Sequence, residues 1–142
     1  MNKLVVVGNG MAGMACLEQI LKYSPRFDVT VFGDETHVNY NRIMLSSVLA
    51  GEKSADDIVL NSVEWYQRHN IDLRVGVRII DADVEAKTVT GSDGSVTAYD
   101  TLLLATGSSP GCRRSPASIW TASSRSARWR TRGRCSSGRA RE

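Results

Sequence analysis

The chain has 142 residues, 42% of them hydrophobic and 23% charged, which is room for one domain with a buried core and a nominal charge of +3. That charge hides a split: residues 1–110 carry 9 Lys and Arg against 14 Asp and Glu, a net of −5, whereas residues 111–142 carry 9 Arg and one acid, a net of +8. The opening apolar run is far too short for a signal sequence or a membrane span, and three cysteines, only Cys16 of them before residue 111, exclude a disulfide framework or a thiolate metal site and suit a reducing cytoplasm.

Leu4, Val5, Val6 and Val7 form an apolar run of strand length that feeds directly into Gly8-Asn9-Gly10-Met11-Ala12-Gly13, and a helical pattern follows. Strand, G-x-G-x-x-G and helix in that order predict a dinucleotide-binding turn. Gly8 suits the tight exit from the strand, Gly10 lets the backbone approach a pyrophosphate, and Gly13 lets the helix pack closely on the strand. The open amides and the positive dipole end of the helix then face the phosphates. Leu17, Ile20, Leu21 and Ser24 recur at helical spacing, and Pro25 is expected to end the helix. Cys16 reads as a small core residue of this helix.

Residues 27–32 read as the second strand, completing a βαβ-like opening. An acid about 20 residues beyond the glycines takes the ribose hydroxyls in such folds. Asp34 and Glu35 are both available just past the strand, with Glu35 the preferred of the two.

The stretch Tyr40-Asn41-Arg42 followed by Leu45-Ser46 resembles the segment after the second strand in flavin-dependent pyridine-nucleotide oxidoreductases. With Val48-Leu49-Ala50-Gly51-Glu52-Lys53 and Asp57-Ile58-Val59-Leu60, it is most similar to the large subunit of NAD(P)H-dependent nitrite reductases. The resemblance implies that Asn41 and Arg42 lie beside the cofactor and that Arg42 meets a phosphate, a task its planar fork of donors suits. Ser47 stands where ferredoxin reductases of this type carry a lysine. No Cys-x4-Cys pair occurs between Gly33 and Thr106, so dithiol exchange is excluded on chemistry.

Ser54 to Asp57 starts a short helical turn, and Asn61-x-x-Glu64 resembles a capping box for a helix carrying Trp65 as its core anchor and His69 as its C-terminal cap. Residues 71–76 read as a strand leading to Ile79, whose backbone, by the resemblance, meets the adenine ring. Residues 87–90 and 96–99 flank a Gly91-Ser92-Asp93-Gly94-Ser95 hairpin turn. Residues 99–104 read as a buried parallel strand ending in Ala105-Thr106-Gly107, at the edge where open α/β sheets bind ligands. Members of the flavoprotein family carry this Ala-Thr-Gly-Ser-x-Pro near the pyrophosphate and adenosine.

The expected fold is α/β: a Rossmann-like FAD-binding domain over residues 1–110, incomplete, with a parallel sheet and a small antiparallel meander. Residues 111–142 form an Arg/Ser-rich tail with too few aliphatic residues to offset its ordering entropy, and are expected to be disordered. Read one base out of frame with permitted codons, the tail yields the Pro-Pro, Pro-Gly and acidic-aliphatic run that the resemblance calls for, with Pro-Pro at Arg113 and Arg114 and Leu at Trp129. A base missing near the codons of Pro110 and Gly111 accounts for this; resequencing is expected to find it, and an intact native frame ending at Glu142 would overturn it. The other reading of the tail is an arginine-rich arm for nucleic acid.

The resemblance implies FAD as cofactor and NAD(P)H as hydride donor. Sirohaem, an iron–sulfur cluster and a small subunit are implied only for the intact protein, and no catalytic acid, base or metal ligand is expected here. A stand-alone FAD reductase for a small electron carrier, and a non-catalytic nucleotide-binding module with a basic tail, stay open beside this reading.

Overall fold

The computed structural model describes residues 2–23 and 26–108. The expected helix stop at Ser24 and Pro25, the break near residue 110 and the tail lie outside the described residues.

β1 (Asn2–Val7) enters α1 (Met11–Tyr23), which returns the chain to β2 (Phe27–Gly33) beside β1. A single 3-10 turn (Arg42–Met44) runs into α2 (Leu45–Leu49), a second 3-10 turn follows (Asp56–Ile58), and α3 (Val63–Arg68) leads into β3 (Ile71–Val75). β4 (Ile79–Asp83), β5 (Thr88–Gly91) and β6 (Val96–Ala98) precede β7 (Thr101–Leu104). The parallel sheet and the small antiparallel sheet are present as the sequence predicts; the first has the order β3-β2-β1-β7 and the second β4-β5-β6.

The alternation of side chains along β1 explains why all four of its apolar residues are buried. Leu4 and Val6 face one way and pack with Met14 and Leu17 of α1, Tyr66 of α3, and Val29, Val31 and Ile71. Val5 and Val7 face the other way and pack with Phe32, Val89 of the antiparallel sheet and Tyr99. A central strand covered on both faces has no polar side, hence the unbroken apolar run. Each such side chain contributes about 1.5–3 kcal/mol when fully buried.

Four local expectations are corrected. Cys16 is exposed: the face that α1 buries is Gly13, Met14 and Leu17, and a residue one place from Leu17 lies about 100° round the helix from it. The anchor of α3 is Tyr66, 1% exposed, with Trp65 only half-buried beside it, edge-on at 5.2 Å between ring centroids. Asn61 does not cap α3; Ser62 holds that position, and Asn61 is buried in a side-chain network. β7 is parallel to β1 but lies at the edge of the described sheet, so Thr101 and Leu104 are exposed. His69, in contrast, caps α3 as expected, its Nδ1 2.8 Å from the Trp65 carbonyl oxygen. Ser54 and Asp57 likewise bond reciprocally at the second 3-10 turn.

Candidate functional site: the glycine turn at the carboxyl edge of the sheet

All four parallel strands point their carboxyl ends to one edge, and the register aligns Val7 with Phe32 and with Leu104. The residues just past those ends therefore meet. Gly8 leaves β1 with φ +113°, a conformation that costs any other residue, and its N–H donates to the Phe32 carbonyl at 2.8 Å. A Cβ on Gly8 would run into the carbonyl of Ala105, which is itself held by its N–H donating to the Val7 carbonyl at 2.8 Å. A Cβ on Gly13 would stand 2.7 Å from the Gly8 carbonyl oxygen and 3.0 Å from the Ala105 Cβ. Gly8 and Gly13 are thus glycines because β1, α1 and the Ala105 backbone close on one another.

Gly10 is different. A Cβ there would have nothing within 4 Å, so the protein itself does not require glycine at this position. The space beside it is open, and α1 starts there with no acid in its first turn. Met11 is half-buried and Ala12 exposed on that turn, and the Met14 N–H returns to the Gly10 carbonyl at 3.0 Å. An open cradle at the positive end of a 13-residue helix, walled by two glycines that are closely packed, fits the pyrophosphate of a dinucleotide. Thr106 and Gly107 are exposed on the far wall of the same edge.

Glu35 and Arg42, given separate tasks by the sequence, are paired. Arg42 Nη2 donates to Glu35 Oε1 at 2.7 Å, and the Tyr40 hydroxyl donates to Oε2 at 2.8 Å. Glu35 has only 12% of its side chain exposed and Arg42 37%. Each carboxylate oxygen keeps a further lone pair, so Glu35 still has capacity to accept a ribose hydroxyl. Arg42→Ala is expected to cost about 1 kcal/mol or less in denaturant unfolding, because the pair is partly in solvent. Asp34 is half-buried next to Glu35. Gly33 ends β2, and a Cβ there would come 3.0 Å from the Asn9 Cβ, so Asn9 takes the space an acidic side chain at the strand end would need.

Asn41 uses its side chain locally: Oδ1 accepts the Ile43 N–H at 3.0 Å and caps the 3-10 turn. Ile79 opens β4, half-buried against the Val5, Val7 and Phe32 cluster. The preceding residues are tied to the β2 end by the Val77 N–H to Gly33 carbonyl bond at 3.0 Å and the Gly76 N–H to Glu35 carbonyl bond at 2.9 Å. The structure thus brings Gly8, Gly13 and Ala105 together, and pairs Glu35 with Arg42. Ile79 packs against the cluster of Val5, Val7 and Phe32.

Tyr66 was missed from sequence. Its hydroxyl donates to Asn9 Oδ1 at 2.8 Å, and burial pushes its phenol up to about 12. The available signal was the Trp65-Tyr66 pair itself: both rings pack on the core, and a buried tyrosine hydroxyl needs a hydrogen-bond partner. Because the folded value lies above the ordinary 10, the neutral form stabilises the fold below pH 10, and that contribution is lost as pH rises toward 12. An ultraviolet titration is expected to find one of the four tyrosines ionising near 12 and unfolding setting in over that window.

A polar groove of about 350 Å³ lies at the opposite, amino-terminal half of the strands, lined by Lys3, Asp28, Thr30, Asp72 and Arg74, away from the glycine turn. Among the described residues no group of acidic, His and Cys side chains could hold a metal ion, and no helix is long and apolar enough to cross a membrane.

The chain is 50% identical over 109 residues to the assimilatory nitrate reductase electron transfer subunit of Bacillus subtilis (strain 168), covering 76% of this chain and 14% of that protein. It is 48% identical over 109 residues to nitrite reductase [NAD(P)H] of the same organism, with 76% of this chain and 14% of the relative covered. Its fold matches the covalent putidaredoxin reductase–putidaredoxin complex with a TM-score of 0.74 at 30% identity, over 81% of this chain and 27% of the solved one. The chain therefore spans about one seventh of the length of these two curated relatives. The family described as pyridine nucleotide-disulphide oxidoreductase matches residues 2–126. This chain belongs to the pyridine nucleotide-disulphide oxidoreductase family.

Proposed function

We propose that the chain is the FAD-binding amino-terminal part of an NAD(P)H-dependent nitrite reductase large subunit, serving electron transfer from NAD(P)H toward nitrite in the cytoplasm. The observation that carries the cofactor reading is the contrast within the glycine turn: Gly8 and Gly13 are packed against the protein, whereas Gly10 borders open space. The 48% identity to nitrite reductase [NAD(P)H] of Bacillus subtilis (strain 168) favours the nitrite reductase branch.

In this reading the backbone of residues 8–13 holds the pyrophosphate at the start of α1. Glu35, preferred over Asp34, accepts from the ribose, with Arg42 and Tyr40 fixing its carboxylate. Asn41 and Arg42 border the cofactor on one side and Ala105, Thr106 and Gly107 on the other, and the Ile79 backbone lies toward the adenine. FAD held by these residues would supply the hydride and electron-transfer chemistry. In this reading the residues of this chain bind and orient it, and none acts as an acid, base or nucleophile. Sirohaem, the iron–sulfur cluster and a small subunit belong to the intact protein.

The test is to titrate the purified 142-residue chain with FAD and follow flavin fluorescence and absorbance. Saturable quenching with one flavin per chain is expected; a chain that binds NAD but leaves FAD free overturns the reading. The putidaredoxin reductase fold match at 30% identity favours a second reading, a reductase for a small electron carrier. Gene sequence past codon 110 separates the two, because only the nitrite reductase reading requires cysteines for the cluster and sirohaem. In both, residues 1–110 are the cofactor domain and residues 111–142 are an out-of-frame tail that makes no nucleic-acid site.

A further inference from the structure

The glycine turn is not held by its glycines alone. Asn9, the residue between Gly8 and Gly10, is pinned from two sides: its Cβ lies against Gly33, and its Oδ1 accepts the Tyr66 hydroxyl at 2.8 Å across 57 positions of sequence. Tyr66 stands on α3, the helix that Leu60 and Asn61 lead into. Asn39, 2% exposed, donates from Nδ2 to Asn61 Oδ1 at 2.7 Å, and Asn61 donates to Glu18 Oε1 on α1 at 2.9 Å. Backbone bonds fasten the same stretch: the Leu60 N–H to the Asn39 carbonyl at 2.9 Å, and the Asn41 N–H to the Ile58 carbonyl at 2.8 Å. The Tyr66 hydroxyl therefore ties the glycine turn to α3, and the entry to α3 at Leu60 and Asn61 is bonded to Asn39, next to Tyr40, Asn41 and Arg42.

A polar bridge is a poor choice where only stability is needed. Burying these groups carries a desolvation cost that their bonds roughly offset, and a phenylalanine would fill the same volume without it. This network is not even complete, since Asn9 Nδ2 and Asn39 Oδ1 are buried without a hydrogen-bond partner. What such a network supplies is one fixed arrangement of the parts it joins.

We propose that the Tyr66 hydroxyl is a positioning group for the cofactor: through Asn9 it sets the glycine turn relative to residues 39–42, so that both are held in place before the dinucleotide arrives. The proposal rests on the reading that this turn binds FAD. A pre-set site loses less freedom on binding, so the effect falls on affinity.

The test compares FAD affinity of the 142-residue wild type with Tyr66→Phe, Asn9→Ala and the double variant, beside amide exchange in the cofactor-free chains. Tyr66→Phe is expected to weaken FAD at least tenfold. Adding it to Asn9→Ala is expected to change affinity by less than twofold, because the carboxamide it acts through is gone. Exchange is expected to quicken at residues 9–12 and not in β4, β5 or β6. Affinity of Tyr66→Phe within twofold of wild type, effects that multiply in the double variant, or exchange that quickens across the whole chain each overturn the positioning role. Absence of FAD binding in the wild type is seen before any variant is compared, and overturns the cofactor reading together with the proposal.

Discussion

Gly8→Ala is expected to destabilise the chain by about 2–6 kcal/mol, the sum of forcing an L residue into a sparsely populated backbone region and of overpacking a closed contact. Both terms have named causes. The φ of +113° strains any Cβ-bearing residue, and the new methyl would meet the Ala105 carbonyl, a backbone group fixed by its pairing with β1. A flexible side chain could move aside; a carbonyl at the end of a parallel strand moves only if the strand does. Against a total of about 5–15 kcal/mol for a domain, the variant loses a large fraction of its stability. Denaturant unfolding followed by far-ultraviolet circular dichroism measures it, and a loss below about 0.5 kcal/mol, the scale of ordinary surface substitutions, would contradict the packing described.

Gly10→Ala is expected to give the opposite pattern. A Cβ there meets nothing within 4 Å, so stability should stay within about 0.5 kcal/mol of wild type. FAD affinity, however, is expected to fall at least tenfold, about 1.4 kcal/mol, because the added methyl enters the space reserved for a pyrophosphate. Unchanged unfolding with lost binding would mark Gly10 as a glycine kept for a ligand. Unchanged binding would mean that the open space beside it is not the cofactor's. Two glycines two residues apart are thereby assigned to different causes by a pair of measurements.

The sequence was most informative where local rules and global fold coincide. The apolar run of residues 4–7 followed by three spaced glycines identified β1, the turn and α1, because that combination carries its own geometry. The hairpin around Gly91 and Gly94 was legible for the same reason, a turn composition between two alternating strands. Side-chain destinations were harder to read. Asn61 has the composition of a cap yet is drawn inward by Asn39 and Glu18, partners 22 and 43 residues away that no local pattern displays. The Glu35–Arg42 pair escaped notice because each residue already had a task suggested by resemblance. Cys16 and β7 erred toward burial, since hydropathy records what a residue tolerates and not which elements stand beside it.

The pairing of β1 with β7 also governs when the site can come into being. The Lys3 N–H donates to Asp100 Oδ2 and the Asp100 N–H to the Lys3 carbonyl, contacts separated by 97 residues. Closing so long a loop is entropically costly and slow relative to forming α1 or the hairpin. At a synthesis rate of about 5–20 residues per second, the glycine turn leaves the ribosome roughly 5–20 s before the strand that walls it. During that interval β1 can pair with β2 and be covered by α1, but its other edge stands open, a row of unpaired amides and carbonyls beside an apolar strand. Ala105 cannot close on Gly8 until β7 arrives. The nascent chain thus carries its most recognisable motif early and completes the pocket around it last, which makes the open edge of β1 the point where a chaperone or a wrong partner strand would compete with β7.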